Sequence, residues 1–234
     1  MGVHRRAIDD QVPAQTRPSL SIALAILASY LLGATPTSYI AGKVRRGGGI
    51  DLREHGSKNL GATNVYRILG WKYAIPVALF DIAKGAIAVL FFSKWAGGAG
   101  GAGGAGAAEH PWLPVVLGGA AVLGHMFSPY VTFKGGKGVA TAAGMFLALA
   151  PVAVLLAIVV WGICLWLTGY VSLSSIIAVT SVPLWVALLE PGSPYVFWAS
   201  VALVALIVFA HRRNIRRLIA GTENRFRTRK TVNG

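Results

Sequence analysis

Residues 139–168 read VATAAGMFLALAPVAVLLAIVVWGICLWLT, a run without a single charged side chain. A transmembrane helix needs about 20 apolar residues, so this run is too long for one upright helix. Pro151 lies inside it, and proline breaks or bends a helix because it lacks an N–H group. We therefore expect two short or broken helices that meet near Pro151.

Further apolar runs flank this one. They cover roughly residues 20–41, 73–93, 112–132, 170–190 and 195–210. The 234-residue chain is 55% hydrophobic and only 13% charged, which is typical of an integral membrane protein. We expect an all-α membrane domain over 19–226. A polar N-terminal extension at 1–18 would precede it, and a basic cytoplasmic tail at 227–234 would follow it.

The basic residues predict the topology. The 22 Lys+Arg exceed the 8 Asp+Glu, for a net charge of +14, and they gather at 43–72, around 134–137 and after 211. The positive-inside rule places all three segments in the cytoplasm, so an even number of crossings separates Gly138 from the tail. Four crossings give about seven spans, and two give five as the fallback. Seven spans also return Gly169–Ser175 to the cytoplasmic face.

Several classes of function are disfavoured by composition. The basic segments flank apolar spans, so anionic lipid headgroups explain them better than nucleic acid does. Cys164 is the only cysteine, which excludes disulfides and cysteine-rich metal sites. The Gly/Ala-rich segment at 94–111 has no reactive side chain over most of its length, and we expect it to be a flexible external loop.

The first basic loop contains HGSKNLGATNVYR at 55–67. The hydroxyls and carboxamides of Ser57, Asn59, Thr63 and Asn64 can donate to substrate oxygens or orient a nucleophile. Arg67 offers a planar fork suited to binding a phosphate with two hydrogen bonds. The alternative is an ordinary positive-inside loop with turn and cap residues.

The second basic loop reads FKGGKGVAT at 133–141. Its glycines allow a tight turn, its lysines add positive charge, and a helix that begins at Val139 would direct its N-terminal dipole to the same place. It fails as a Walker A motif, because Gly138 stands where Ser or Thr belongs and Val131 where the first glycine belongs. A looser phosphate site remains, with a glycine-rich helix connector as the alternative.

Five further polar residues, in three groups, fall within or beside apolar runs. Asp81 and Lys84 are charged groups at membrane depth, and we expect them to pair at i,i+3. His125, at the end of a span, is expected to be a structural hydrogen-bonding group. His211 and Asn214 are three residues apart and share a helix face, so both can point into one site. An interfacial basic anchor is the alternative for that pair.

These motifs together resemble a known family. Gly56-Ser57-x-Asn59-x-Gly61-Ala62-Thr63-Asn64-x-x-Arg67, then Gly124-His125 with the loop at 133–141, then His211-x-x-Asn214 with Glu223, are similar to the bacterial acyl-phosphate:glycerol-3-phosphate acyltransferase family (PlsY). The likeness covers roughly residues 24–226, in the family's order.

The resemblance implies an enzyme of the bacterial inner membrane with its active site facing the cytoplasm. It would transfer a fatty acyl group from acyl phosphate to the 1-hydroxyl of glycerol 3-phosphate, giving lysophosphatidic acid in the first step of phospholipid synthesis. It implies no metal and no cofactor. The implied partners are the two substrates, membrane lipids and the enzyme that produces acyl phosphate.

The resemblance also implies roles for individual residues. Ser57, Asn59, His211 and Asn214 are expected to be catalytic, and Glu223 to be structural. The residues expected to bind substrate or phosphate are Arg67, Thr63, Gly135, Gly136, Lys137, Gly138, Ser172 and Ser175.

Acyl phosphate is an activated anhydride, so positioning and charge stabilisation are the main demands on the protein. We hypothesise direct attack by the glycerol hydroxyl, with Ser57 orienting the substrate and no covalent acyl-enzyme. The alternative class of function is a transporter of a phosphorylated solute, in which the loop at 133–141 would bind the anion between two halves of a broken helix. No internal repeat supports that class. A purely structural membrane protein leaves the polar residues at 57–67 unexplained.

Overall fold

The computed structural model describes residues 20–45, 47–96 and 110–226. The N-terminal extension at 1–18, the tail at 227–234 and residues 97–109 of the Gly/Ala-rich loop lie outside the described residues. Within the described ranges the regular structure is helical, with no strand, which confirms the all-α class.

The helices follow one another along the chain with short connections. They are α1 (Leu20–Ala34), α2 (Thr37–Lys43), α3 (Ala62–Leu69), α4 (Trp71–Ile87), α5 (Ser93–Ala96), α6 (Leu113–Met126), α7 (Val139–Leu149), α8 (Pro151–Thr168), α9 (Val171–Leu189), α10 (Pro194–Ala210) and α11 (Arg212–Ile219). A π-helical turn joins α4 to α5, and a 3₁₀ turn follows α6.

The predicted break near Pro151 is confirmed, since α7 ends at Leu149 and α8 begins at Pro151. Proline is favoured at the first helical position because the N–H group that it lacks has no partner there. The helix α7 has 11 residues. At 1.5 Å per residue it is about 16 Å long, roughly half of a hydrocarbon core of about 30 Å.

The prediction of seven spans is not confirmed. Among the described residues, five helical segments are long and apolar enough to cross a membrane: Leu20–Lys43, Trp71–Ala96, Leu113–Val131, Pro151–Thr168 and Val171–Leu189. A sixth is added if α10 and α11, which are bent by 59° at His211, count as one span. The difference between six and seven spans is the short helix α7, whose 11 residues fall well below the roughly 20 that a full crossing needs.

Glycines bring the helices into close contact. Gly33 and Gly124 pack α1 against α6, and Gly85 and Gly144 pack α4 against α7. A Cβ atom at any of these four positions would overlap the backbone of the neighbouring helix. Small residues commonly mediate such close approach between membrane helices. This packing sets the start of α7 beside α4.

Large apolar side chains cover the outside of the helices. Trp166, Leu167, Leu188 and Trp198 are each more than 60% exposed. The main buried cluster lies between α6, α7, α8, α9 and α10 and includes Val122, Met145, Phe146 and Ile207. An apolar exterior of this extent suits a lipid environment rather than water.

The basic loops meet at one end of the helices. Lys137 Nζ donates to Asn214 Oδ1, Ser172 Oγ donates to Glu223, and Arg67 reaches the Asn224 carbonyl. Two glycines with a left-handed backbone conformation lie at the same end of the helices: Gly138 precedes α7, and Gly169 follows α8. The loops therefore share one end, as the charge distribution predicts.

Candidate active site

A cavity of about 490 Å³ lies between α4, α7, α8, α9 and α10 at the end where the loops meet. Loops and the ends of helices form its polar end, and the helices form an apolar arm. The predicted site residues on its walls are Ser57, Asn59, Thr63, Arg67, Lys137, Gly138, Ser172, Ser175, His211, Asn214 and Glu223. The structure thus brings together all of the predicted site residues except Gly135 and Gly136.

The carboxylate of Glu223 links the elements around the polar end. Its Oε1 accepts hydrogen bonds from Asn214 Nδ2 at 2.6 Å and from Ser172 Oγ at 2.7 Å, and its Oε2 accepts one from Arg217 Nε at 2.6 Å. Burial opposes ionisation, but these three hydrogen bonds and the charge of Arg217 lower the pKa of Glu223. An ionised Glu223 therefore joins the start of α9 to α11.

Whereas Arg217 contacts this carboxylate directly, Lys137 is connected to it through Asn214. Its Nζ donates to Asn214 Oδ1, so the Asn214 carboxamide bridges Lys137 and Glu223. Burial lowers the pKa of Lys137 to about 8; Glu223 raises it, while Arg217 and Arg67 lower it. In the described part of the chain Lys137 forms no salt bridge, so its charge is available to an anion in the cavity.

Arg67 supplies a second cation from α3. Its Nη2 donates to the Asn224 carbonyl at 3.4 Å, and burial lowers its pKa against the opposing effect of Glu223. The preceding Tyr66 stacks on Phe226, with ring centroids 5.0 Å apart, which holds the C-terminal segment over α3. A guanidinium remains protonated even when its pKa falls, so Arg67 and Lys137 give the cavity wall two positive charges at neutral pH, while Arg217 is paired with Glu223.

Asn64 organises the loop that presents Ser57. Its Oδ1 accepts the Ser57 N–H at 2.8 Å, and its Nδ2 donates to the carbonyls of Leu52 and His55, both at 3.1 Å. The side chain is buried, so these bonds form away from water. Asn64 is therefore a structural residue of the loop rather than a substrate ligand, and its buried position could not be seen from the motif alone.

The turn at Gly135 and Gly136, called the glycine turn below, uses its N–H groups for contacts within the protein rather than leaving them free for a phosphate. The Gly135 and Gly136 N–H groups donate to the carbonyls of Met126 and His125, both at 3.1 Å. A Cβ at Gly135 would overlap the His125 carbonyl, and one at Gly136 would overlap the His125 ring and the Leu60 carbonyl. These two glycines permit close packing, and their phosphate-binding role stays a prediction. The cavity instead meets Lys137 and Gly138.

His211 and Ser175 line the cavity, and each already forms hydrogen bonds with other groups of the protein. The His211 Nδ1 lies 2.8 Å from the Ile207 carbonyl and must carry the proton there, because a carbonyl only accepts. The Ser175 hydroxyl donates to the Val171 carbonyl at 2.8 Å and accepts from Trp161 Nε1 at 3.2 Å. Ser175 thus fixes the orientation of Trp161 at the boundary of the apolar arm.

The apolar arm extends from the polar end between the helices. Its walls include Ile82, Phe146, Val154, Trp161, Val179 and Leu203. Leu203 lies eight residues before His211, a distance of about 12 Å along the helix axis at 1.5 Å per residue. The cavity can therefore hold a polar head at one end and a hydrocarbon chain along the arm.

A buried polar cluster adjoins the cavity. The predicted pair of Asp81 and Lys84 is confirmed, with Oδ1 and Nζ 2.8 Å apart. His125 joins it through Nδ1, which lies 2.8 Å from Lys84 Nζ. Asp81 and His125 also line the cavity, which the sequence did not predict. Within the described ranges no group of three or more His, Cys, Asp or Glu side chains is arranged to hold a metal ion.

Comparison with known proteins identifies the family. The sequence profile described as "Glycerol-3-phosphate acyltransferase" matches residues 23–221. The chain belongs to the glycerol-3-phosphate acyltransferase family. Curated acyltransferases of that name are 41% identical in Chlorobaculum parvum and 43% identical in Chlorobium luteolum. Both alignments cover 86% of this chain, and they cover 94% and 95% of the respective relatives.

Two solved structures of PlsY, described as an integral membrane glycerol 3-phosphate acyltransferase, are also similar. The glycerol 3-phosphate form is 39% identical with a TM-score of 0.75, and the lysophosphatidic acid form is 38% identical with a TM-score of 0.73. Each match covers 88% of this chain and 95% of the other. The resemblance drawn from the sequence motifs is confirmed: this acyltransferase is a multi-pass membrane enzyme that acts on glycerol 3-phosphate.

Proposed function

We propose that this acyltransferase moves a fatty acyl group from acyl phosphate to the 1-hydroxyl of sn-glycerol 3-phosphate, giving lysophosphatidic acid and inorganic phosphate. One observation carries the proposal: a single cavity joins two cationic side chains to an apolar arm. Arg67 and Lys137 suit the two phosphate groups, and the arm suits an acyl chain. The bound forms of the related PlsY structures support the same substrate and product.

The proposed reaction is a direct transfer. The C1 hydroxyl oxygen attacks the acyl carbonyl carbon, and a new ester C–O bond forms. The bond from that carbon to the phosphate oxygen breaks, and phosphate leaves with the bonding electrons. The hydroxyl proton passes to this phosphate. No side chain needs to hold the acyl group, so catalysis comes from positioning and from stabilising the leaving anion.

Each site residue has a proposed part in this reaction. Arg67 and Lys137 bind phosphate, with the N–H groups that follow Gly138 at the start of α7 as further donors. Ser57 orients the attacking hydroxyl. Asn214 and Glu223 hold Lys137 in place through the hydrogen bonds described above. The remaining predicted side chains, Asn59, Thr63, Ser172, Ser175 and His211, shape the polar end.

The proposed location is the bacterial inner membrane, with the polar end of the cavity facing the cytoplasm. The positive-inside rule supports this orientation, because the basic loops lie at that end. A lipid-soluble acyl chain can then enter from the bilayer while glycerol 3-phosphate enters from water. An enzyme that produces acyl phosphate is the expected functional partner, and the product begins phospholipid synthesis.

A transfer assay tests the donor. The purified protein in lipid nanodiscs receives radiolabelled glycerol 3-phosphate with either palmitoyl phosphate or palmitoyl-CoA. Lysophosphatidic acid is expected from palmitoyl phosphate alone. Lys137→Ala is expected to lower kcat/KM at least about 100-fold, since a preorganised charge at a leaving group is worth that much. Lys72→Ala, an exposed lysine at the same end of the molecule, is the matched control and should retain activity.

Two results would overturn the proposal. One is product formed from palmitoyl-CoA but not from palmitoyl phosphate. The other is activity of Lys137→Ala equal to that of the unmodified protein. Absence of product with every donor would favour the transporter alternative, which uptake of labelled glycerol 3-phosphate into proteoliposomes would then measure.

A further inference from the structure

A buried polar cluster connects three helical segments beneath the glycine turn. Lys84 Nζ donates to Asp81 Oδ1 at 2.8 Å, to the Thr35 carbonyl at 3.3 Å and to His125 Nδ1 at 2.8 Å. The Thr37 hydroxyl donates to the same Asp81 oxygen at 2.8 Å. The contacts tie α4 to the break between α1 and α2 and to the end of α6. Asp81 and Lys84 are each 1% exposed.

Lys84 is surrounded by three polar atoms that can accept a hydrogen bond. An ammonium group has three N–H donors and no acceptor, so a protonated Lys84 is the donor in its 2.8 Å contact with His125 Nδ1. The same Nδ1 lies 3.6 Å from Asp81 Oδ1, so the ring contacts both members of the ion pair. A charged pair buried this deeply is retained only where its geometry is satisfied, and removing one partner is costly.

The His125 ring and backbone support the glycine turn. Gly136 N–H donates to the His125 carbonyl, and the Cα of Gly136 lies so close to His125 Nε2 that a Cβ there would overlap the ring. The Leu60 carbonyl, from the loop that carries Ser57, packs at the same point. Lys137 is the next residue along the chain. A shift of His125 would therefore move Gly136 and, with it, the backbone of Lys137.

We infer that Lys84 is a positioning residue for the reaction: it fixes the His125 ring beneath Gly136 and thereby directs Lys137 into the cavity. Lys84 does not contact the substrate in this account. The inference rests on the proposed phosphate-binding role of Lys137. It adds that the buried residues Asp81, Lys84 and His125 hold Lys137 in the position that phosphate binding requires. The Asp81 carboxylate balances the charge of Lys84, so the cluster is neutral overall.

The test uses a variant that removes both buried charges. Asp81→Asn/Lys84→Met leaves no unpaired ion, and Lys94→Met, at the other end of the same span, is the matched control. We expect the double variant to raise KM for glycerol 3-phosphate and to lower kcat/KM about 10- to 100-fold, because small misplacements of a binding group cost that much. The alkaline limb of the kcat/KM profile should also move to higher pH, because greater hydration of Lys137 would raise its pKa.

His125→Asn tests the other end of the same chain of contacts. Asparagine keeps an acceptor for Lys84 and leaves the ion pair intact, but it removes the ring beneath Gly136. It should also raise KM for glycerol 3-phosphate. This variant carries the test if the double variant does not insert into the membrane.

Three outcomes are decisive. A raised KM with a shifted alkaline limb supports the inference. A lower melting temperature with KM and the limb unchanged overturns it, because the cluster would then be structural only. An inactive unmodified protein would contradict the proposed function instead, so the two failures are distinguishable.

Discussion

Replacement of Lys137 by arginine is expected to remove the alkaline limb of kcat/KM for glycerol 3-phosphate. The physical reason is the burial of Lys137 beside Arg67 and Arg217, which lowers its pKa to about 8. Phosphate binding requires the protonated amine, so activity should fall as pH rises through this pKa. The guanidinium of arginine remains protonated throughout this pH range.

The magnitude follows from the pKa. A lysine with a pKa near 8 is about 90% protonated at pH 7 and about 10% at pH 9, so kcat/KM should fall about ten-fold over this range. A lysine with an ordinary pKa near 10.4 would lose only a few per cent of its charge. The second ionisation of a phosphate monoester lies near pH 6, so the charge of the substrate hardly changes across the range.

The assay measures initial rates between pH 7 and 9.5 in nanodiscs at limiting glycerol 3-phosphate. The slope of kcat/KM reports the free enzyme, whereas kcat reports the complex, in which a bound phosphate raises the pKa of Lys137. Lys72→Arg should keep the limb of the unmodified protein. A flat profile for the unmodified protein, or an identical limb in Lys137→Arg, would refute the reasoning.

Three further variants test the surroundings of Lys137. Gly136→Ala should cost about 1–3 kcal/mol by overpacking against His125 and reduce activity, whereas Gly119→Ala, with open space around its Cβ, should not; equal melting temperatures would contradict this. Glu223→Gln should destabilise the protein by about 2 kcal/mol, because the hydrogen bonds to a charged carboxylate are lost. Glu190→Gln, at the opposite end, should not. Thermal unfolding measures both variants, and matching curves would contradict the structural role of Glu223. Leu203→Trp should narrow the apolar arm and reduce kcat/KM for palmitoyl phosphate more than for octanoyl phosphate; an equal loss for both chain lengths would argue against an acyl chain in the arm.

Much of the fold follows from local pattern. The break at Pro151 was predictable because proline cannot continue a helix hydrogen-bond ladder. The meeting of the basic loops was predictable because loops rich in Lys and Arg are retained on the cytoplasmic face of a membrane. The pairing of Asp81 with Lys84 was predictable because opposite charges at membrane depth, one helical turn apart, stabilise each other.

The remaining features depend on contacts between distant segments. The bond between Lys84 and His125 joins residues 41 positions apart, and no local pattern encodes it. The Gly135 and Gly136 N–H groups looked free for phosphate in the sequence, but the end of α6 supplies carbonyls that accept them. The span count differed because α7 is apolar yet only 11 residues long, a length set by Gly138 and Pro151 together.

The central claim is that both substrates occupy the cavity together and that the acyl group passes between them directly. Initial rates with palmitoyl phosphate and glycerol 3-phosphate both varied test it in one measurement. Direct transfer predicts intersecting double-reciprocal lines, because a complex of all three components must form. Parallel lines, accompanied by an acylated Ser57 in the intact-protein mass spectrum, would contradict it, since they indicate a covalent acyl-enzyme.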